Sequence, residues 1–372
     1  MIYTEDLIEI LKKNKISFYT GVPDSVLKEL SNKIDGLNNF KHVMAVNEGN
    51  AVSIGIGHYL STKKIPCIYM QNSGLGNAIN PLASIAHENV YAIPLLLMIG
   101  WRGSPNKKDE PQHMTKGKIT TKLLKLLNID YCILKNKSDL YKLDMLINRS
   151  YKRKKIVACL IERNILRNRI KKKVSFINKK FPTRKEFLLP FLKEIKNNYK
   201  IVSTTGYTSR ELMQIRKEKK LNKGKDFYMV GGMGHASAVA SSFALNSTNP
   251  IVCLDGDGSI LMHFGSLFIN GKIGNANFKH ILLNNNSHES VGGQETGAFN
   301  INFKKIVSGL GYKKYFKISK KNRVSLILKK FLKSKGPSFL EVSISPGTFH
   351  NLIRPQNLIK IKNKFFKKKW NV

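Results

Sequence analysis

Asp255-Gly256-Asp257-Gly258-Ser259 follows immediately after a short apolar run at residues 251–254. A second apolar run, residues 280–283, leads in the same way into Asn284-Asn285-Asn286-Ser287. Apolar runs of this length are typical of strands in a parallel sheet that is buried on both faces. The interval between the two turns is long enough for one helix and a returning strand. The two segments therefore predict neighbouring parallel strands of an α/β fold, with both polar turns at the carboxyl end of the sheet.

The residue types in these two turns predict a site for Mg²⁺ and a diphosphate. Asp257 and Asn285 are expected to meet at adjacent strand ends, and carboxylate and amide oxygens are ligands that Mg²⁺ prefers. Gly256 and Gly258 allow the backbone to approach a ligand closely. The helix predicted after Ser259 would direct unpaired N–H groups and its positive dipole end at a phosphate. Either turn alone would be an ordinary loop, and only the pair at this spacing indicates a site.

The rest of the chain repeats the order of strand, polar loop and helix, which predicts an α/β protein with two doubly wound parallel-sheet domains. In the first half, apolar runs at residues 65–70 and 92–99 each end in a loop that contains glycine. The predicted organisation is a first domain at 1–165, a basic linker at 166–190, a second domain at 191–360 and a basic tail at 361–372.

The composition raises one alternative, because 64 Lys and Arg against 24 Asp and Glu give these 372 residues a formal net charge of +40. A nucleic-acid-binding protein with an enzyme-like fold would carry such a charge. The basic residues are concentrated in predicted connections, exposed helix faces and the tail, so a solvated basic surface is favoured. No apolar run is long enough to cross a bilayer, and the four cysteines show neither disulfide nor metal spacing. We expect a cytoplasmic enzyme.

The two polar turns resemble the cofactor motif of the thiamine-diphosphate enzymes, in which Gly-Asp-Gly is followed at a similar interval by Asn-Asn. The resemblance implies that Asp257 and Asn285 bind Mg²⁺ through their side chains and Ser287 through its carbonyl oxygen. Within the same turn, the residues that it assigns to cofactor binding are Gly256, Gly258 and Ser259. It also implies a glutamate from the other domain, which hydrogen-bonds N1′ of the cofactor's pyrimidine ring and promotes proton removal at C2. Glu48, in Asn47-Glu48-Gly49 before a predicted helix of small residues, matches that element.

Two further matches follow the same family. In Gly231-Gly232-Met233-Gly234, the resemblance implies that the Gly231 carbonyl accepts from the 4′-amino group and that Met233 supports the bent cofactor from below. Met233 as an ordinary core residue is the alternative. Thr205, just beyond a predicted strand, matches a cofactor contact, and a helix cap is an equally good interpretation.

Several short sequence segments resemble, more specifically, those of the phosphonopyruvate and sulfopyruvate decarboxylase family, whose members have these two domains in this order. They include Gly21-Val22-Pro23-Asp24-Ser25, Gly100-Trp101-Arg102-Gly103, Asp109-Glu110-Pro111-Gln112-His113 and His288-Glu289-Ser290-Val291-Gly292-Gly293-Gln294. Glu289 departs from an expected Asp, Asn286-Ser287 from Gly-Ala, and Gly232 from Ser. The family resemblance implies decarboxylation of 3-phosphonopyruvate to phosphonoacetaldehyde and CO₂ in phosphonate biosynthesis, with sulfopyruvate as the alternative substrate.

The substrate would be a small 2-oxo acid with an anionic end, and the candidates to act on it lie in the first domain. His113, Asp24 and Asp109, in predicted loops, are candidates for acid–base chemistry, and His113 ranks first because histidine titrates nearest neutral pH. Arg102 and Lys116 are candidates to bind the phosphonate. Because the family's active site combines the first domain of one subunit with the second domain of another, the resemblance also implies a homodimer or a larger assembly.

Overall fold

The computed structural model describes residues 1–35, 37, 41–105, 107–169, 180–349 and 351–366. The chain divides into two compact units, of which the first comprises Met1–Val174 with Val291–Gln294 and the second comprises Ser175–Ser290 with Glu295–Val372. This division falls inside the predicted linker, whose residues 170–179 lie outside the described part of the chain.

The first unit contains eight strands and six α-helices among its described residues. Its strands are β1 (Ile2–Tyr3), β2 (Tyr19–Gly21), β3 (His42–Met44), β4 (Cys67–Gln71), β5 (Leu96–Trp101), β6 (Asp130–Leu134), β7 (Val157–Glu162) and β8 (Leu166–Arg167). Its helices are α1 (Thr4–Lys13), α2 (Lys28–Ile34), α3 (Glu48–Thr62), α4 (Leu75–Ala83), α5 (Pro111–Leu126) and α6 (Leu140–Arg153), with 3₁₀ turns at Asn72–Gly74 and Lys137–Asp139.

The second unit contains six strands and eight α-helices in its described part. Its strands are β9 (Lys200–Ser203), β10 (Lys225–Tyr228), β11 (Ile251–Gly256), β12 (Phe278–Asn284), β13 (Lys314–Ile318) and β14 (Ser338–Ser343). Its helices are α7 (Arg184–Glu194), α8 (Tyr207–Lys219), α9 (Ala236–Leu245), α10 (Asp257–Met262), α11 (Ser266–Ile273), α12 (Phe303–Gly309), α13 (Val324–Lys333) and α14 (Leu358–Phe366), with 3₁₀ turns at Ala298–Asn300 and Lys321–Arg323.

Each unit has one six-stranded sheet, and the two sheets have the same topology. The strand orders are β3-β2-β4-β5-β7-β6 in the first unit and β10-β9-β11-β12-β14-β13 in the second. All neighbouring strands in both sheets are parallel. In the first unit, β1 and β8 form a separate two-stranded parallel sheet. The prediction of two doubly wound parallel-sheet domains is confirmed.

The alternation of side chains along the central strands explains why helices cover both faces of each sheet. On β5, Leu96 and Met98 pack into one buried apolar cluster while Leu97 and Ile99 pack into another. Every residue of β12 is buried, and its side chains divide in the same way between two clusters. Since successive strand residues point to opposite faces, a continuous apolar run is what a sheet covered on both sides requires.

Four elements differ from the predictions in ways that bear on the site. The sequence of residues 25–34 predicts a helix over the whole segment, but α2 begins only at Lys28, because Asp24 accepts hydrogen bonds from two backbone N–H groups and closes a turn before it. The single helix expected after Ser259 is divided into α10 and α11. His113, which was predicted to lie in a loop, lies in the first turn of α5, and Lys116 follows it in the same helix.

The predicted linker and tail are also partly helical. Thr183 caps α7, so the last seven residues of the predicted linker 166–190 belong to a helix. Helix α14 extends to Phe366 and buries Phe365 against Phe227 and Phe243, so the first part of the predicted tail is packed structure. Residues 367–372 of that tail lie outside the described residues. Among the described helices, none is both long and apolar enough to span a membrane.

Candidate active site

The two turns that opened the sequence analysis meet at the carboxyl ends of β11 and β12. The backbone N–H of Ser287 donates to Asp257 Oδ2 and to Asn285 Oδ1, each at 3.1 Å. Both the carboxylate oxygen and the amide oxygen therefore lie 3.1 Å from the Ser287 nitrogen, at the carboxyl end of the sheet. A carboxylate and an amide oxygen brought together in this way form the start of a Mg²⁺ ligand set.

Asp257 is almost completely buried, with 4% of its surface exposed. Burial raises its pKa to about 6, and hydrogen bonds from Thr296, at 2.7 Å, and from backbone N–H groups only partly offset this effect. A buried carboxylate whose neighbours are neutral donors is destabilised in its charged form, and a bound cation would remove that cost. The side chain therefore fits the metal role that the sequence predicted.

The turn between β11 and α10 combines open space with a fixed backbone. A Cβ atom on Gly256 would meet no atom of the described residues within 4 Å, so the backbone borders free volume in this part of the structure. Ser259 Oγ accepts from the backbone N–H of Gly234 and from the Thr204 hydroxyl, at 3.1 and 3.0 Å. These two bonds tie the Asp-Gly-Asp-Gly turn to the loops that follow β10 and β9. A diphosphate would need open space of this kind beside the backbone.

The glycine-rich loop after β10 lies against the same turn. Gly231, Gly232 and Gly234 have φ values of +76°, +56° and +86°, which residues other than glycine rarely adopt. Met233 Cε would lie 3.4 Å from a Cβ atom on Gly258. The structure therefore brings Met233 to the turn between β11 and α10 rather than into a core cluster. Its support role and the acceptor role of the Gly231 carbonyl remain predictions.

In the loop after β9, the residue before the predicted Thr205 contacts the Asp255–Ser259 turn. Thr204, rather than Thr205, makes the bond to Ser259, and its own side chain is buried. Thr205 is half-buried and comes directly before Gly206, the residue that precedes α8. Its role as a cofactor contact remains a prediction.

In the first unit, Glu48 is the first residue of α3 and is buried, with 5% of its surface exposed. Asn47 caps the helix by accepting from the backbone N–H of Asn50 at 2.9 Å, which explains why α3 starts here. Asn77 Nδ2 donates to Glu48 Oε2 at 2.7 Å. A methyl group on Gly74 would overlap the Glu48 carboxylate, so the 3₁₀ turn after β4 passes directly against it. The carboxylate is thus held on two sides.

Asp24 lies in the loop between β2 and α2 and is 1% exposed. Gln71 Nε2 donates to its Oδ1 at 2.6 Å, and the backbone N–H groups of Val26 and Leu27 donate to its Oδ2. Burial raises the pKa of Asp24 in spite of these hydrogen bonds. The side chain can therefore exchange a proton at a higher pH than an exposed aspartate.

The strand β5 leads into a cluster of charged residues around Arg102. Its guanidinium binds Asp109 in a bidentate pair, with distances of 2.7 and 2.5 Å, and Glu110 lies 3.6 Å away. Burial lowers the pKa of His113 to about 4, and the nearby positive charges of Arg102 and Lys116 add to the decrease. His113 is therefore neutral near pH 7. Arg102 is already paired, so among the predicted phosphonate ligands Lys116 is the side chain with fewer constraints.

Several neighbours of these groups were missed by the sequence analysis. They are Asn77 beside Glu48, Gln71 beside Asp24, Thr204 beside Ser259, Thr296 beside Asp257 and Glu289 beside Asn285. Gln71 and Thr204 directly end or follow a strand, so their position at the carboxyl end of the sheet was a usable signal. Asn77 lies in a helix, and nothing in its local sequence distinguishes it.

Comparison with known proteins assigns this arrangement to a class. Residues 1–124 match the family model described as "Thiamine pyrophosphate enzyme, N-terminal TPP binding domain", and residues 204–342 match the corresponding C-terminal domain. The fold and the site therefore define a thiamine pyrophosphate enzyme in two domains.

The relatives narrow the class further. Phosphonopyruvate decarboxylase of Streptomyces viridochromogenes is 31% identical over 96% of this chain and 92% of its own length. Sulfopyruvate decarboxylase of Methanosarcina acetivorans is 27% identical over 92% and 91%. Sulfopyruvate decarboxylase subunit alpha of Methanococcus maripaludis is 32% identical over 40% of this chain and 89% of its own. The chain belongs to the thiamine-diphosphate-dependent decarboxylase family that includes phosphonopyruvate decarboxylase.

Proposed function

We propose that this protein decarboxylates 3-phosphonopyruvate to phosphonoacetaldehyde and CO₂, with thiamine diphosphate held through Mg²⁺. The observation that carries the proposal is the convergence of Asp257 Oδ2 and Asn285 Oδ1 on one backbone N–H, next to the free space at Gly256. Full-length similarity to phosphonopyruvate decarboxylase supports the choice of substrate.

Each side chain has a defined task in this proposal. Bound thiamine diphosphate supplies the electron sink for the bond that breaks between the carboxylate and the 2-oxo carbon. Asp257 and Asn285 offer oxygens to the metal, and Gly256 leaves room for phosphate oxygens. Glu48 holds or moves a proton at its carboxylate, and Asn77 fixes the position of that carboxylate at 2.7 Å.

In this proposal, the groups near Arg102 contact the substrate. Lys116 supplies a positive charge for the phosphonate, since the Arg102 guanidinium is neutralised by Asp109. His113, neutral near pH 7, is a hydrogen-bonding or proton-accepting group rather than a permanent cation. Asp24, with its raised pKa, is a second group able to carry a proton.

Product analysis tests the substrate. Purified protein is incubated with phosphonopyruvate or with sulfopyruvate, each with and without thiamine diphosphate and Mg²⁺, and CO₂ and aldehyde are measured. The proposal requires phosphonoacetaldehyde from phosphonopyruvate only when both cofactors are present. Consumption of sulfopyruvate alone would assign the chain to the activity named for its Methanosarcina acetivorans relative.

We also propose that the active form is a homodimer or a larger assembly, in which Glu48 and Asp257 of different subunits serve one site. The family resemblance supports it, as does the occurrence of a separate alpha subunit in a sulfopyruvate decarboxylase. Mixing inactive Glu48→Gln protein with inactive Asp257→Ala protein tests it, because hybrid dimers would contain one site with both carboxylates. Restored activity after mixing supports the proposal, and none would show that both residues act within one chain.

The proposed location is the cytoplasm. All four cysteines, Cys67, Cys132, Cys159 and Cys253, are free thiols, as a reducing compartment allows. Fractionation of cells that express the protein, followed by immunodetection, tests this location.

A further inference from the structure

The side-chain amide of Asn285 is held in one orientation by two different partners. Its Oδ1 accepts from the Ser287 N–H at 3.1 Å, and its Nδ2 donates to Glu289 Oε2 at 3.0 Å. The two ends of an amide have nearly the same size, so hydrogen-bond partners alone decide which end faces a ligand. Only the oxygen end can bind a cation.

Glu289 is itself fixed by a buried ion pair. Arg184, with 4% of its surface exposed, reaches Glu289 Oε2 at 2.8 Å through Nη2 and Glu211 Oε1 at 2.6 Å through Nη1. The other carboxylate oxygen of Glu289 accepts from the backbone N–H of Gly347 at 2.5 Å. A carboxylate in an ion pair accepts hydrogen bonds and donates none, so it can face only the N–H₂ end of Asn285.

We propose that Glu289, anchored by Arg184, is a positioning residue that keeps Asn285 Oδ1 directed at the metal. This inference rests on the metal role that the proposed function gives to Asn285. An amide turned by half a rotation would present N–H₂ beside Asp257 Oδ2, replacing a metal ligand by two hydrogen-bond donors. Partners that orient a ligand in this way are worth roughly 10- to 100-fold in metal affinity.

Binding of Mn²⁺ in place of Mg²⁺ provides a readout that needs no catalysis. The free ion is quantified by electron paramagnetic resonance while Mn²⁺ is titrated into protein saturated with thiamine diphosphate, in the absence of substrate. Glu289→Gln replaces a group that can only accept by an amide that can turn either its oxygen or its N–H₂ toward Asn285, so Asn285 is no longer restricted to one orientation. We expect Mn²⁺ affinity to fall about 10- to 100-fold.

Glu211→Gln is the matched control, because it alters the other carboxylate of the same buried Arg184 without touching Asn285. Both variants weaken one half of the same ion-pair cluster, so both are expected to lower the thermal unfolding temperature. Only Glu289→Gln is expected to weaken Mn²⁺ binding, and Glu211→Gln should stay within about twofold of the unaltered protein. Equal losses of affinity in the two variants would overturn the proposal.

The double variant Asn285→Asp with Glu289→Gln separates orientation from simple destabilisation. A carboxylate has two equivalent oxygens, so Asp at position 285 cannot present a wrong end, and Gln at position 289 can donate to it. We expect Mn²⁺ affinity to recover to within about threefold of the unaltered protein. Failure to recover, or unchanged affinity in Glu289→Gln alone, would overturn the proposal. Because substrate is absent, a wrong substrate assignment would leave these results unchanged.

Discussion

The two sheets share one strand order but place their carboxylates after different strands. In the first unit, Glu48 follows β3, which is the second strand of its sheet in chain order and lies at the sheet edge. In the second unit, Asp257 follows β11, the third strand, and its neighbour β12 supplies Asn285. The corresponding end of the second strand, after β10, carries no carboxylate but the loop of three glycines around Met233.

This difference shows how one scaffold produces two kinds of carboxylate. At the edge position, Glu48 accepts a hydrogen bond from Asn77 and faces the turn at Gly74. At the central position, Asp257 lies beside a second oxygen ligand from the adjacent strand. A central strand end has neighbours on both sides that can complete a ligand set, whereas an edge strand end has a neighbour on one side only. The first position suits proton chemistry and the second suits a metal.

Replacing the Glu48 carboxylate by an amide is the change expected to have the largest effect on the decarboxylation rate, and it tests the proton role of the edge position. Glu48→Gln keeps the size of the side chain and a partner for Asn77 but removes the carboxylate. We expect decarboxylation to fall roughly 10²- to 10⁴-fold, which is the usual contribution of a positioned acid or base. Binding of thiamine diphosphate, measured by calorimetry, should change little. A near-normal rate would contradict the proton role.

Removing the central carboxylate should produce the opposite pattern. Asp257→Ala deletes one proposed ligand, so the Mg²⁺-dependent affinity for thiamine diphosphate should fall by more than the roughly 10- to 100-fold that outer partners contribute. Equilibrium dialysis with and without Mg²⁺ measures the loss. Thermal unfolding of the cofactor-free variant controls for folding, since this variant also loses the hydrogen bonds that Asp257 accepts from Thr296 and Ser287. Unchanged Mg²⁺-dependent retention of the cofactor would contradict the metal assignment.

Much of this comparison was available from the sequence, because its determinants are local. Two apolar runs predicted the strands β11 and β12, and the glycines between Asp255 and Ser259 predicted the turn that follows β11. The proximity of Asp257 and Asn285 then followed from the geometry of parallel strands alone. The helix break after α10 was missed, although Gly265 comes directly before α11 and glycine favours such a break. Pro111, at the first position of α5, was an unused sign that His113 lies in a helix.

What could not be predicted depends on contacts between residues distant in sequence. Thr296 reaches Asp257 across 39 positions, and Arg184 reaches Glu289 across 105. Neither contact is encoded in a periodicity or a turn preference, since both depend on how loops return over the end of the sheet. The bidentate pair of Arg102 with Asp109, only seven residues apart, was missed for a different reason. Nothing in a sequence states whether an arginine beside an acidic residue is free for a ligand.

Alanine substitutions of the glycines beside Glu48 and Asp257 test the two positions separately. In the first unit, Gly74→Ala places a methyl group where the Glu48 carboxylate now lies. Because displacement of a catalytic group by about 1 Å can cost 10²-fold, we expect kcat to fall by up to roughly 100-fold with cofactor affinity nearly unchanged. Gly76→Ala is the matched control, since a methyl group there meets none of the atoms that the structure describes within 4 Å. Equal kcat in the two variants would show that the turn does not position Glu48.

Gly256→Ala should have the smallest effect, and an effect on binding alone. Its backbone is extended, with φ of −117° and ψ of 159°, so alanine adopts it without strain. Within the described part of the chain a methyl group there meets no atom closer than 4 Å, so the free protein should keep its unfolding temperature. If phosphate oxygens occupy that space, the methyl group should cost on the order of 1.4 kcal/mol, which is a tenfold loss of affinity for thiamine diphosphate. Gly309→Ala, equally unobstructed but at the end of α12, should bind the cofactor normally. Equal cofactor affinity in both variants would place the diphosphate elsewhere and leave Asp257 without its proposed partner.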